Sequence, residues 1–114
     1  MPTIQDFEQL VISRLPSLEI RAASKGIAVF NGDKEIAWQR PLSKKDMAAL
    51  AEKAPTGDVV AIHVDSVTTK HAWIESEPKT CFDSAHFRNY PAVLIDLANC
   101  DLQVVFELLS EHLG

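Results

Sequence analysis

The stretch Ala85-His86-Phe87-Arg88-Asn89-Tyr90-Pro91-Ala92-Val93-Leu94-Ile95-Asp96-Leu97 changes character at its middle, and the reading of the chain turns on that change. From Ala92 to Leu97 it is almost continuously apolar and β-branched, the pattern of a buried strand. Pro91 stands at the start of this run, where a missing N–H costs a sheet least. Ahead of it, His86, Arg88, Asn89 and Tyr90 crowd an imidazole, a guanidinium, an amide and a phenol into a short segment, so a polar lip is expected where the chain enters the sheet. Tyr90 is placed to turn its ring inward and tie its hydroxyl to backbone.

Working outward, Asp58 to Asp65 is a second β-branched run, with His63 as an ordinary strand residue. Between the two runs, Ala72, Trp73 and Ile74 suggest a short helix capped by Ser66, and Cys81 and Phe82 tuck back against the body. Glu19 onward alternates apolar and polar to a turn at Ser24-Lys25-Gly26. Ile27–Phe30 and Glu35–Gln39 flank Asn31-Gly32-Asp33-Lys34, a hairpin with its reversal at Asn31-Gly32 or in a four-residue loop. Helices are expected from Thr3 to Leu15, opened by Thr3 with Asp6, and from Ser43 to about Lys53 with Met47, Leu50 and Ala51 facing in. A last helix follows Asp101, with a stripe of Leu102, Val105, Phe106, Leu109 and Leu113. The fold class that follows is α+β, a two-layer sandwich in which helices cover an antiparallel sheet. Its expected order is helix, three strands, helix, two strands, helix, in a single domain over residues 1–114.

The 114 residues suffice for a core without staples, and 46% hydrophobic with 24% charged residues is an ordinary globular composition. No apolar run reaches the length of a membrane span, and the acidic N-terminal helix pattern does not resemble a signal peptide, so a cytoplasmic protein without a membrane partner is expected. Cys81 and Cys100 fit no redox or zinc spacing and are read as reduced and unbridged. The net charge of -5 is uneven: residues 1–53 hold eight Lys or Arg against seven Asp or Glu, while residues 54–114 hold three against nine. A basic surface must therefore come from the first half.

Three ordered pieces carry a family resemblance: Ala37-Trp38-Gln39-Arg40-Pro41-Leu42 after the hairpin, Lys70 in mid-chain, and His86-Phe87 followed by Tyr90-Pro91-Ala92-Val93-Leu94. Over nearly its whole length the chain resembles the MmcQ/YjbR family, small domains with a fold similar to secretion chaperones and CyaY-like proteins. The resemblance implies the same element order and a DNA-binding role. Where many relatives carry Asp-Gly before Tyr-Pro, this chain has Arg88 and Asn89.

Two sets of candidate residues emerge. Trp38, Arg40, Lys70, His86 and Tyr90 form a ligand-binding set if the hairpin exit, the mid-chain lysine and the lip converge. A guanidinium fork and an ammonium beside hydrogen-bonding rings suit a phosphate, carboxylate or nucleotide, with Trp38 as a stacking wall. The competing reading is structural: Tyr90 anchors its loop, His86 caps the turn, and Arg40 pairs with an acid. Lys25, Lys34, Arg40, Lys44 and Lys45 form a nucleic-acid-binding set, expected to hold DNA weakly through phosphates; interleaved Asp33, Glu35 and Asp46 argue instead for a solvated face. A homodimeric, chaperone-like interaction module is the further alternative. No catalytic, metal or cofactor motif stands out, so an enzyme is not expected.

Overall fold

The Thr3 hydroxyl accepts from the Asp6 N–H while the Asp6 carboxylate accepts from the Thr3 N–H at 2.8 Å, and this reciprocal cap opens the first helix, α1 (Ile4–Arg14). The computed structural model describes residues 2–55 and 57–113. After α1 come β1 (Glu19–Ala23), β2 (Gly26–Asn31), β3 (Lys34–Gln39), α2 (Lys44–Leu50), β4 (Val59–His63), α3 (Val67–Ser76), β5 (Cys81–Phe82), β6 (Ala92–Asp96) and α4 (Leu102–Ser110). Single 3-10 turns occupy Ala51–Lys53, Ala85–Phe87 and Leu97–Asn99. Among the described residues, the strands form one six-stranded sheet in the order β1-β2-β3-β4-β6-β5, every neighbouring pair antiparallel. The α+β class and the antiparallel sheet are as the sequence indicates.

The element order is richer than the five-strand order expected, because Cys81–Phe82 forms a sixth strand, β5, and the short helix α3 lies between β4 and β5. Both strands run antiparallel to β6, so they are parallel to each other, and α3 carries the chain across β6 between them. The Ser66 hydroxyl caps α3 by accepting from the Thr69 N–H at 3.1 Å. The short helix with its Ser66 cap is as the sequence indicates; what the sequence does not show is its inward face, whose fully buried position is Lys70, which an amphipathic count assigns to solvent. Smaller corrections have equally local causes. Asn31 pairs with Lys34, so the reversal falls on Gly32-Asp33, with Gly32 supplying the positive φ of +64°. The β2–β3 register slips between Val29 and Phe30, which lets the adjacent Ile36 and Ala37 both be buried. Helix α2 buries none of its residues: Met47 is exposed and Leu50 only half-buried, and Ala51, in the 3-10 turn that follows, is exposed as well. In α4 the buried stripe is Val104, Val105, Leu108 and Leu109, while Leu113 lies outside it, exposed.

One sheet face carries the main core. Phe7 and Val11 of α1 and Val105, Leu108 and Leu109 of α4 pack with Val60, Ile62, Val93 and Ile95, and Trp73 and Ile74 of α3 join from the side. Each such fully buried side chain contributes about 1.5–3 kcal/mol. The opposite face holds a smaller cluster of Val59, Ala61 and Leu94 beneath Phe87, flanked by Trp38, Leu42 and Phe82. Strands β4 and β6 are therefore covered on both sides, by helices on one and by the lip on the other.

Candidate functional site

The lip owes its position to the one buried ammonium of the helix beneath it. Lys70 Nζ donates to the carbonyls of Phe87 and Tyr90, the latter at 3.0 Å, and pairs with Asp83 Oδ1 at 2.8 Å. With no solvent exposure, its three donors have three acceptors. Lys70 thus reaches the expected convergence from below, as a strut for the backbone, and not as an arm toward a ligand.

Above the strut, β3, β4 and the lip bring four rings together. Because side chains alternate along a strand, Trp38 of β3 and Ala61 and His63 of β4 share one face. The Trp38 and His63 rings lie 4.9 Å apart, His63 and Tyr90 5.3 Å, Phe87 and Tyr90 5.8 Å, and Trp38 and Phe87 6.3 Å. Tyr90 departs from expectation. The residue is 42% exposed and its hydroxyl meets His63 Nε2 at 3.3 Å, while the backbone anchor is its carbonyl, held by Lys70. His63, read as an ordinary strand residue, is thus the member sequence reasoning missed; the period-two alternation with Ala61 was the available signal. His112 Nε2 contacts the His63 carbonyl at 2.8 Å and ties the end of α4 to the same strand.

Burial holds the His63 imidazole below its ordinary value of 6.5; the Pro91 carbonyl opposes this, His112 and Lys34 add to it, and Glu35 opposes it. The folded state therefore resists a proton that the unfolded chain accepts. His63 stabilises the fold fully above about pH 6.5, and that contribution is lost as pH falls through this value toward the lower folded pKa. Thermal melts between about pH 7.5 and 5.5 are expected to show His63→Asn losing less stability on acidification than wild type; parallel curves would mean that His63 titrates as in the unfolded chain.

Beyond Phe87 the face becomes basic. The Arg40 guanidinium carbon lies 5.2 Å from the Phe87 ring centre, and Arg40, Ser43, Lys45, Asp46, Ala85 and His86 line an open groove of about 450 Å³. Arg40 Nε is buried without a hydrogen-bond partner, and among the described residues Arg40 forms no ion pair. His86 is exposed, and the Ala85–Phe87 turn has no side-chain cap, so His86 does not cap it. Lys44 and Lys45 open α2 beside this groove. Lys25 sits in the β1–β2 turn at the same sheet end, where the Ile27 N–H donates to the Gln39 side chain. Lys34, at the other end of β3, lines a separate cavity with His63, Asp65, Glu111 and His112. The structure thus gathers Trp38, Arg40, His86 and Tyr90 on one face, with Lys70 beneath. It places Lys25, Arg40, Lys44 and Lys45 at one end and Lys34 at the opposite one.

Cys81 and Cys100 are free thiols; burial pushes them up to about 12 and about 11, which leaves little thiolate at neutral pH. Among the described residues no cluster of three His, Cys, Asp or Glu is arranged to hold a metal ion, and no helix is long and apolar enough to cross a membrane.

Fold and site together define a two-layer α+β domain whose second sheet face joins a ring cluster to a basic groove. Among known proteins, the uncharacterized proteins Mb2600 of Mycobacterium bovis and MT2646 and Rv2570 of Mycobacterium tuberculosis are each 41% identical to it over 83 residues, 70% of this chain. The match covers 64% of each relative, so the chain spans less than two thirds of their length. No family model and no solved structure matches the chain.

Proposed function

We propose that this chain is a non-enzymatic binding domain of the MmcQ/YjbR type that takes phosphate groups at the Arg40 groove and holds DNA weakly through its backbone. The observation that carries the reading is Arg40 itself: a guanidinium braced on Phe87, with no acid paired to it, facing a groove shared with Lys45 and His86. A planar fork with unspent donors is the side chain best suited to phosphate oxygens. Asp46 in the same groove and the net charge of -5 keep the affinity low. The residues resembling the MmcQ/YjbR pattern, Trp38, Arg40, His86 and Tyr90, all belong to this face, which supports the same reading. A small anion or free nucleotide bound by the same groove is the alternative.

Four cations at one sheet end, Lys25, Arg40, Lys44 and Lys45, give an expected slope of log affinity on log salt near roughly -3.5 for duplex DNA, at about 0.9 per neutralised phosphate. Fluorescence anisotropy from about 20 to 200 mM salt measures it. Lys44→Glu/Lys45→Glu is expected to weaken binding at least roughly tenfold at the lowest salt, and Lys34→Glu to change it little. Absence of binding at low salt, or indifference to the double reversal, removes the DNA reading. Pairing of two copies through β1, an edge strand, has less support, because the Arg21–Glu19 ion pair puts charge on that strand.

A further inference from the structure

The same face carries more than phosphate chemistry. Helices α1, α3 and α4 all contribute to the main core on the other side of the sheet, while on this side, among the described residues, Phe87 of the lip, Leu42 of the β3–α2 connection and Phe82 pack on the smaller cluster. The rings on it are graded in exposure: Phe87 is buried, Trp38 and His63 are half-buried, and Tyr90 stands outermost at 42%. They are also braced against one another, Trp38 edge-on to Tyr90 at 6.5 Å, so a flat ligand meets a preset wall and not a mobile side chain. Arg40 lies between this wall and the groove, in contact with the Phe87 ring.

Resting on the phosphate reading above, the geometry points to single-stranded nucleic acid as the ligand class: backbone phosphates in the Arg40–Lys45 groove, an unpaired base stacked on Tyr90 against Trp38. Alternating anionic and aromatic demands along one line is the chemistry of a single strand, whose bases are free to stack on protein rings. A duplex hides its base faces, and it carries a second phosphate strand toward a body whose second half holds nine acids against three bases. Lys34 stands apart from these cations, lining a cavity with His63 at the far end of β3. Stacking and phosphate contact read no base edge, so thymidine and uridine oligomers present the same chemistry.

The test compares four probes on the full chain at low salt: a thymidine oligomer of roughly ten nucleotides, a uridine oligomer, an abasic oligomer of equal phosphate count, and a duplex. Expected is binding of both single strands at least roughly tenfold tighter than the abasic strand and the duplex. Trp38 fluorescence, read in a Trp73→Phe background, should be quenched by the single strands only. Tyr90→Ala should bring them down to the abasic level; Trp38→Leu is the second variant should that chain fold poorly. Equal affinity for thymidine and abasic strands, or a preference for duplex, overturns the stacking proposal yet leaves the phosphate groove standing if Lys44→Glu/Lys45→Glu still weakens every probe. Failure of all four probes to bind overturns both.

Discussion

Lys70→Met is expected to lower the melting temperature by roughly 10 to 20 °C, from a loss of about 3–5 kcal/mol. Methionine has nearly the length of lysine and none of its donors, so the helix keeps its shape while the carbonyls of Phe87 and Tyr90 lose their partner and Asp83 loses its counter-ion. An orphaned buried acceptor costs about 1–3 kcal/mol. Asp83, 24% exposed, recovers part of its share from water, which is why the total stays below three full penalties. Asp83→Asn keeps an acceptor but strips the buried ammonium of its counter-ion, and is expected to cost about 3 kcal/mol. Calorimetry of the three proteins decides the matter: a loss for Lys70→Met of less than about 1 kcal/mol would show that the lip is held by other means.

Phe87→Ala is expected to cost a similar amount, about 3–5 kcal/mol, and to abolish phosphate binding at the same time. Phe87 is 7% exposed, the lip's only residue in the second cluster, and the ring on which Arg40 rests. Truncation leaves a void above Ala61 and Leu94 and frees the guanidinium to wander. His86→Ala, one residue away, is exposed and is expected to stay within about 0.5 kcal/mol of wild type while weakening the groove. Paired melts and anisotropy titrations on the two variants separate the roles; a stability loss for His86→Ala equal to that of Phe87→Ala would make His86 part of the framework.

The sheet was legible where local rules suffice. The Thr3 and Asp6 cap, the Gly32 turn of the β2–β3 hairpin and the β-branched runs of β4 and β6 each state their conformation in adjacent residues. Helix α3 and its Ser66 cap were legible, but its inward face was not, because its buried position is a lysine whose partners come from the lip, more than a helix length away in sequence. The lip was found as a polar cluster, yet the division of labour inside it was inverted: the ring of Tyr90 faces out, and its carbonyl is what the body grips. His63 was missed because alternation with Ala61 fixes only the face it shares, while the rings beside it come from β3 and from the lip, distant in sequence. Arg40 was found on residue type and position alone; that it lacks an acid partner is a fact of three dimensions, since Asp46 is near in sequence and makes no ion pair with it.

The Lys70 strut also makes the lip and α3 one mechanical unit. Their backbones are joined through an ammonium and two carbonyls, whereas β1, β2 and β3 form a meander closed by its own short turns. A fluctuation that lifts α3 therefore releases the lip as well, without disturbing the meander. In amide hydrogen exchange this appears as lip and α3 protons exchanging at a common opening free energy, smaller than that of the β2–β3 amides. The candidate site would then open and close as a cooperative subdomain while half the sheet stays folded.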